Sequence, residues 1–336
     1  MAGTLFLVQT PYHALLTLGL SSPGDTVQFL DDFRGCARYM ELIRKHYPQL
    51  SVPEALPGRA TVGDVMSERV KCSRRNLKVM AGMVDPSKFD KVVLYNDIRP
   101  ETQRAACLAV RKGIPVEYVE DGLSMYVGPR YSRPDLYRRI TAKVLFGMRH
   151  HSITDHGTSP CIATVKAFYP DKVKDSMRAK NVRPLDHRIF YRIDKGFVTE
   201  ATEGLRADIE ALLVLPVSEV LSDGVSAASL KRTADDFIAR AAANGKKVGV
   251  KYHPRETNAY LGEFPGVYSV PQDMSMELVC LMLRNNGLKL IAGPPTTSLY
   301  TARIILGKEV DVRVIGENAS QEQMTFLSSA GIQAAI

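Results

Sequence analysis

Two carboxylates and a glycine, Glu120-Asp121-Gly122, follow a short apolar segment that begins at Pro115. Apolar and β-branched residues after a proline predict a strand that ends on the two acids. In an open α/β sheet, ligands bind beside the carboxyl ends of the strands, so these carboxylates are placed for chemistry. Side chains alternate along a strand, so we expect one acid to act and the other to support it. Gly122 would allow a sharp turn or a close approach to a substrate. For this tripeptide alone, a solvated turn is the alternative.

A histidine and a proline end a second predicted strand, at 247–252, as His253-Pro254. Histidine titrates near neutrality, so His253 could donate a proton or, when charged, stabilise a phosphate. Pro254 fixes the backbone at that point, and Lys251 adds a cation. For His253 alone, a structural role is the alternative.

Three hydroxyl residues, Thr296, Thr297 and Ser298, stand where a predicted helix begins. Hydroxyls and backbone N–H groups at a helix start form an anion site. The same residues would also cap the helix. Capping and phosphate binding are compatible, so both interpretations stay open.

Strand and helix patterns alternate in both halves of the chain. Strands are predicted at 4–8, 26–30, 91–95, 115–119, 211–215, 247–252, 288–292 and 310–315. Helices are predicted up to residue 20 and at 33–46, 66–80, 101–111, 226–243, 274–283 and up to residue 306. The alternation indicates largely parallel sheets covered on both faces. Residues 131–198 have a less regular pattern.

The composition narrows the class of protein. The 336 residues suit two ordinary domains or one large one, and the net charge of +8 favours an acidic partner. No basic motif of a nucleic-acid fold is present. No apolar run reaches the ~20 residues of a membrane span, and the first residues do not resemble a signal peptide. The five cysteines, Cys36, Cys72, Cys107, Cys161 and Cys280, show no paired spacing and no zinc pattern, so a reducing cytoplasm is the simplest location.

Basic and apolar residues alternate between 131 and 151, in a pattern typical of an amphipathic helix. The basic residues are Arg133, Arg138, Arg139, Lys143 and Arg149, and the apolar ones are Leu136, Ile140, Val144, Leu145 and Phe146. Such a helix could lie on an anionic membrane surface. A packed helix with a cationic outer face is the alternative.

The order of the three motifs resembles bacterial sialyltransferases, specifically the lipooligosaccharide sialyltransferase and capsular polysialyltransferase families. Glu120-Asp121-Gly122 matches their acid-acid-glycine motif, His253-Pro254 matches their His-Pro motif, and Thr296-Thr297 matches their paired-hydroxyl motif with threonine in place of the more usual serine. The opening Gln9-Thr-Pro-Tyr-His13 also looks like their first strand-to-helix junction. The likeness covers both halves and is patchy between 131 and 198.

The resemblance implies an α/β chain of two Rossmann-like domains facing a cleft, the GT-B type of glycosyltransferase. We expect an acceptor-side domain at 1–200 and a CMP-sugar-binding domain at 201–336. The implied reaction moves a sialic acid from CMP-sialic acid to a glycan acceptor, with inversion and with no metal or other cofactor.

The resemblance also implies roles for single residues. Asp121 would be the general base, with Glu120 beside it as support, and His253 would protonate or stabilise the departing CMP phosphate. The other substrate-binding positions are Gly122, Lys251, Pro254, Glu277 for the ribose, Thr296, Thr297, Ser298 and, more weakly, Ser218. The family gives no metal-binding role to His150, His151, Asp155 and His156, which are expected to be surface groups.

Two alternatives stay open. The donor could be another CMP-linked acidic sugar, such as Kdo or legionaminic acid. The chain could instead be a basic binding module without turnover, for anionic glycan or nucleic acid. An acidic pair at a strand end favours the enzyme, because a binder of anions gains nothing from it. For the enzyme we expect a cytoplasmic location, with contact to the inner membrane an open option and no nucleic-acid partner.

Overall fold

The computed structural model describes residues 2–58, 66–128, 136–148, 150–217, 227–254, 256, 264, 266–316 and 320–334. The chain divides into two compact units, Met1–Asp194 and Lys195–Ile336. The division precedes the helix Lys195–Ala201, whereas the boundary expected from the sequence follows residue 200.

Unit 1 is a parallel sheet with helices between its strands. Its strands are β1 (Gly3–Val8), β2 (Thr26–Asp31), β3 (Leu56–Pro57), β4 (Phe89–Leu94), β5 (Val116–Val119), β6 (Thr164–Ala167) and β7 (Asn181–Pro184). Its helices are α1 (Pro11–Leu20), α2 (Cys36–His46), α3 (Met66–Met83), α4 (Pro100–Arg111) and α5 (Leu136–Phe146). The strand order is β3-β2-β1-β4-β5-β6-β7, and β1 and β4, at its centre, pair in parallel.

Local chemistry sets the helix starts in unit 1. Thr10 caps α1, its side chain accepting from the His13 N–H, and Pro11 occupies the first helical position as predicted. The second helix begins at Cys36, three residues later than predicted, because Gly35 has a φ of 83° that interrupts the helical conformation. Strands β6 and β7 lie in the segment that the sequence marks as irregular; β6 is buried only at alternate residues and β7 is mostly exposed, so neither has the continuous apolar run of a buried strand.

Unit 2 repeats the same plan after the helix α6 (Lys195–Ala201). Its strands are β8 (Ala211–Val214), β9 (Val248–Lys251), β10 (Tyr268–Ser269), β11 (Leu290–Gly293), β12 (Asp311–Val314) and β13 (Gln333–Ala334). Its other helices are α7 (Ala227–Ala243), α8 (Met276–Leu283), α9 (Thr297–Leu306) and α10 (Gln321–Ser329). The strand order is β10-β9-β8-β11-β12-β13. Leu213, Val250 and Ala292 form a buried core with Leu230 and Ala234 of α7.

Both sheets therefore have the doubly wound Rossmann order, in which the chain reverses direction across the sheet at one point. That switch point lies between β1 and β4 in unit 1 and between β8 and β11 in unit 2. Ligands of such sheets bind outside the carboxyl ends of the strands near the switch point. The candidate residues lie at these carboxyl ends. In unit 1 they follow β1, β4 and β5, and in unit 2 they follow β8, β9 and β11.

Candidate active site

Asp121 lies just beyond β5 and is held by a histidine from the start of the chain. Its Oδ1 is 2.6 Å from His13 Nε2, although the two residues are 108 positions apart. The His13 side chain is 1% exposed and that of Asp121 is 23% exposed, so only the carboxylate reaches solvent. The imidazole therefore orients a carboxylate that remains open to a ligand.

The Tyr95 ring supports the side chain of His13, which reaches across one strand to Asp121. Tyr95 follows β4, which lies between β1 and β5 in the sheet. Its ring stacks against the imidazole with a centroid separation of 4.7 Å and an interplanar angle of 15°. Its hydroxyl is 2.7 Å from the Thr17 hydroxyl, one turn after His13 on α1. Two side chains on one face of α1 thus rest on the same buried ring, and this fixes the position of the imidazole.

The hydrogen bonds of His13 determine its tautomer. The backbone N–H of Gln9 donates to Nδ1 at 3.3 Å, so Nδ1 carries a lone pair. The proton of the neutral ring is then on Nε2, which donates to the Asp121 carboxylate. Both ring nitrogens are occupied, so His13 positions Asp121 and has no lone pair to offer a substrate.

Glu120 differs from its neighbour because it is fully buried. One of its oxygens accepts from the Tyr126 hydroxyl and from the backbone N–H of Phe168 at 2.7 Å. The two acids thus face different surroundings, as the alternation along a strand led us to expect. Glu120 is placed to hold the loop after β5 and has no access to a ligand.

Gly122 has φ 86° and ψ −149°, a conformation that side chains with a Cβ rarely adopt. The glycine turns the chain directly after Asp121 into the short 3₁₀ turn Leu123–Met125.

Gln9, on the other side of His13, is buried, and its Nε2 has no hydrogen-bond partner among the described residues. A buried donor of this kind is costly unless a ligand or water satisfies it.

In unit 2, Lys251 ends β9 and is buried. Its ammonium donates to the carbonyls of Tyr252 at 2.8 Å and Gln272 at 3.0 Å. Burial lowers the pKa of Lys251 to about 8, although the nearby Asp273 and Glu277 favour its charged form. The lysine thus ties the end of β9 to the segment before α8, and its field is only weakly screened.

Glu277, in the first turn of α8, is buried close to this lysine. Burial raises the pKa of Glu277, while hydrogen bonds from Thr301 and Ser275 and the charge of Lys251 act against the shift. The Thr301 hydroxyl is 3.2 Å from its Oε1. Helices α8 and α9 are joined by this contact.

The hydroxyl motif stands at the start of α9, after β11. Thr296 is the N-cap residue, but its side chain makes no capping bond, and its buried Oγ1 has no partner among the described residues. Thr297 is exposed and Ser298 is half-buried. A Cβ on Gly293 would lie 2.7 Å from the Val214 carbonyl, so the glycine allows β11 to approach β8 at the switch point. The observed arrangement leaves hydroxyls and helix N–H groups available to an anion.

The His-Pro pair and the hydroxyl motif lie at the same edge of the sheet of unit 2, on strands that are not neighbours. His253, half-buried, and Pro254, exposed, follow β9 at the same sheet edge as the α9 start, with β8 between them. That spacing of two strands corresponds to roughly 10 Å. Ser218 lies outside the described residues.

Sequence reasoning named the segment from Gln9 to His13 but gave His13 no role, and it missed Tyr95. The only available signal was a histidine at the third position of a helix that follows the first strand. The prediction that Asp155 and His156 are surface groups is wrong for both, since each is buried. Asp155 is paired with Lys174, with Oδ1 and Nζ 3.2 Å apart, which compensates for its burial.

No protein-family model matches the sequence, and no curated protein matches it. Among solved structures, the UDP-GlcNAc 2-epimerase from Neisseria meningitidis bound to UDP-GlcNAc is 13% identical, with a TM-score of 0.56 over 98% of this chain and 86% of that one. The Methanocaldococcus jannaschii UDP-GlcNAc 2-epimerase, in complex with UDP-GlcNAc and UDP, is 12% identical, with a TM-score of 0.55 over 100% and 89%. The glycosyltransferase SnogD from Streptomyces nogalater is 15% identical, with a TM-score of 0.54 over 99% and 87%.

These neighbours are GT-B enzymes built from two Rossmann-like domains. The chain has the GT-B fold. The predicted fold class of two Rossmann-like α/β domains is thereby confirmed. At such low identities the likeness establishes the GT-B fold alone, and the donor sugar and the reaction must be argued from the site residues.

Proposed function

We propose that the chain transfers a sialic acid from CMP-sialic acid to a hydroxyl of a glycan acceptor of the lipooligosaccharide or capsular type, with inversion. The observation that carries the proposal is the part-exposed Asp121 carboxylate held by buried His13. The order of the acidic, His-Pro and hydroxyl motifs supports the choice of donor. The GT-B fold supports glycosyl transfer, because SnogD, which shares it, is a glycosyltransferase.

In this mechanism Asp121 is the general base. His13 holds its Oδ1, which leaves the second oxygen to accept the proton of the acceptor hydroxyl. The acceptor oxygen forms a bond to the anomeric carbon, and the bond from that carbon to the CMP oxygen breaks. The electron pair of the broken bond leaves on CMP. Attack from the face opposite CMP accounts for inversion.

The tautomer of His13 favours Asp121 over His13 as the base. A base needs a lone pair, and the lone pair of His13 Nδ1 is already used by the Gln9 N–H. Its other nitrogen donates to Asp121. We therefore assign His13 as a positioning residue.

The donor side of the mechanism belongs to unit 2. His253 would protonate or stabilise the leaving phosphate, and Thr296, Thr297 and Ser298 would bind it at the start of α9. Two carbonyls hold the Lys251 ammonium in place. From that position its positive charge would attract the phosphate. Gly122 and Pro254 would shape the backbone beside the substrates. Glu277 remains the proposed ribose ligand, and Ser218 a weaker contact.

A donor panel tests the proposal. Purified protein is incubated with a glycan acceptor and with CMP-sialic acid, CMP-Kdo, CMP-legionaminic acid or UDP-GlcNAc, and nucleotide release and glycosylated product are measured. We expect turnover with CMP-sialic acid and loss of it in Asp121→Asn, while Asp175→Asn, which changes an exposed carboxylate, behaves as wild type. Turnover with only another CMP-sugar would change the donor, and turnover with UDP-GlcNAc alone would overturn the CMP assignment. Tight glycan or nucleic-acid binding without turnover would instead favour the binding module.

We also propose that α5 attaches the enzyme to an anionic membrane surface. Leu136, Tyr137, Ile140 and Val144 on α5 and Met148 just beyond it are each more than half exposed. Leu136, Ile140 and Val144 recur every fourth residue and so form one stripe on the helix. No helix among the described residues is long and apolar enough to cross a bilayer.

The neighbouring helix supplies positive charge. Helix α3 packs against α5 and exposes Lys71, Arg74, Arg75 and Lys78. An apolar stripe beside basic side chains matches an anionic lipid surface, where acyl chains lie below charged headgroups. A glycolipid acceptor would then be presented at the surface on which the enzyme sits.

Vesicle co-sedimentation tests this attachment. We expect binding to anionic vesicles that weakens as salt rises, and weaker binding for Val144→Glu than for wild type. Val110→Glu is the matched control, because Val110 is also exposed but lies on α4. Equal binding to neutral and anionic vesicles, or equal losses in both variants, would contradict the proposal.

A further inference from the structure

Three metal-ligating side chains from distant parts of unit 1 meet outside the Asp121 site. Cys107 lies on α4, and His151 and Cys161 lie between α5 and β6. Their ligand atoms are all within 4.8 Å of one another. Cys107 is buried and the other two are half-buried, so an ion could enter from solvent and then be largely enclosed. The cysteine spacing gives no sign of this cluster, and only the fold assembles it.

The backbone that carries His151 is fastened to α4. Gln103 precedes Cys107 by one helical turn and so lies on the same face of the helix. Its amide nitrogen donates to the His151 carbonyl at 3.0 Å, and its amide oxygen accepts from the His151 N–H at 2.8 Å. This pair of bonds holds residue 151 over the helix face that bears Cys107.

The backbone around Cys161 is fastened as well. Asp97 accepts from the N–H groups of Gly157 and Ser159, each at 2.9 Å. Lys180 donates to the Ser159 carbonyl at 2.9 Å and to the carbonyl that follows Cys161 at 2.8 Å. The three ligands therefore stand on backbone that is fixed on both sides, as a binding site requires.

The identity of the donor atoms indicates what binds there. The two Sγ atoms are 2.6 Å apart, inside the van der Waals contact distance of two sulfurs, so the two cysteines share one small space. A disulfide needs no third group, whereas two thiolates and an imidazole make a soft ligand set of the kind that Zn²⁺ prefers. We propose that Cys107, Cys161 and His151 bind a thiophilic divalent cation such as Zn²⁺.

The surroundings leave room for tetrahedral geometry. Zn–S bonds of ~2.3 Å would place the two sulfurs about 3.8 Å apart, so at least one cysteine side chain must rotate. A small cavity beside Cys107 provides that space and is lined by Gln103, Phe146 and His150. A water molecule would complete the fourth position.

The role of the ion would be structural. It would fasten the segment from 150 to 162 to α4, and the Asp121 mechanism would not use it. The inference does not depend on the proposed transferase activity, because its test measures metal binding and stability.

Co²⁺ spectroscopy of the reduced, metal-stripped full chain tests the site. We expect one equivalent of Co²⁺ per chain to give a thiolate-to-cobalt absorption band and the visible bands of a tetrahedral ion, and Zn²⁺ to displace it. Thermal unfolding should shift to higher temperature with metal. His151→Ala and Cys161→Ser should each weaken Co²⁺ binding at least tenfold. Gln103→Ala, which frees the His151 backbone, should weaken it by roughly 10–100-fold.

Cys72→Ser is the matched control, since Cys72 lies on α3, where its thiol donates to the Pro57 carbonyl and accepts from the Asn76 amide. It should bind Co²⁺ as wild type does. The wild-type titration decides the question even if a variant fails to fold. Absence of the thiolate band in wild type would overturn the proposal, as would an unchanged band in both ligand variants. Peptide mapping without reductant that finds a Cys107–Cys161 disulfide in the native protein, together with no bound metal, would also overturn it.

Discussion

The two units share one strand order but place opposite chemistry at the same edge of their sheets. After β5, unit 1 presents the carboxylate of Asp121, held by the imidazole of His13. After β9 and β11, unit 2 presents a histidine, a buried ammonium and the hydroxyls of the α9 start. Strand order thus determines where each candidate site lies. The residues that follow the strands determine whether that edge carries a carboxylate or cationic and hydroxyl groups.

The comparison extends to the supporting acids. Glu120 in unit 1 and Glu277 in unit 2 are both buried and bonded to neighbouring groups, and neither is the exposed group of its site. Glu120 holds the loop after β5, and Glu277, the proposed ribose ligand, also joins α8 to α9. Substitutions at the proposed base of unit 1 and at the proposed anion site of unit 2 should therefore change different measured quantities. The predictions below run from the largest expected effect to the smallest.

The largest effect is expected in unit 1. Asp121→Asn removes the proposed general base, so kcat should fall by ~10²–10⁴-fold. CMP affinity, measured by calorimetry, should remain nearly unchanged because the donor residues lie in unit 2. Near-normal turnover would reject Asp121 as the base. Lost CMP affinity would show that Asp121 also contributes to donor binding, which the proposal assigns to unit 2.

The next effect concerns the leaving group. In the proposed mechanism His253 acts as charge develops on CMP, so in His253→Ala kcat should fall by ~10²–10³-fold while the acceptor KM changes less. A sugar donor with a better leaving group should recover part of the loss. If kcat survives and only acceptor binding is lost, His253 belongs to the acceptor site.

A smaller effect is expected at His13. His13→Ala removes the hydrogen bond to the Asp121 carboxylate, and bonds to charged groups contribute about 1.5–3 kcal/mol, or roughly 10–100-fold in kcat. His13→Gln keeps an N–H donor near the position of Nε2 and should recover much of the activity. A loss in both variants as large as that of Asp121→Asn would make His13 itself the base.

The last effect is on stability. With a folded pKa of about 8 against an ordinary value of 10.5, Lys251 is neutral in the folded state and charged in the unfolded state between those pH values. The unfolded state then binds more protons, so Lys251 increases the free energy of unfolding as pH rises through this window, by up to about 3 kcal/mol.

Chemical denaturation from pH 7 to pH 11 measures this contribution as a difference. The increase should be present in wild type and in Lys308→Met, which changes an exposed lysine, and absent in Lys251→Met. Parallel curves for wild type and Lys251→Met would show that Lys251 titrates alike in both states.

Much of this fold could be predicted because its signals are local. Thr10 and Pro11 mark the start of α1, and the apolar run before Glu120 marks β5. The alternation of these elements was enough for the α/β class. The two-residue strands β3, β10 and β13 carry no pattern of their own and exist only by pairing with a longer neighbour.

The site could be predicted only in part, because its key contacts join distant positions. Asp121 was placed correctly beyond its strand, but its bond to His13 depends on β4 lying between them and on the Tyr95 ring beneath the imidazole. The meeting of Cys107 with His151 likewise depends on Gln103, which bonds the backbone of residue 151. Such contacts follow from tertiary packing, which single-sequence patterns do not encode.

The His13–Asp121 bond also has a consequence for the order in which the protein is made. His13 is synthesised before its carboxylate partner, which follows 108 residues later. Until β5 is synthesised, packing α1 against the sheet would bury an imidazole N–H without its acceptor, at a cost of about 1–3 kcal/mol. The nascent chain should therefore complete this end of unit 1 only after Asp121 has emerged, and fragments that end before β5 should keep α1 loosely docked.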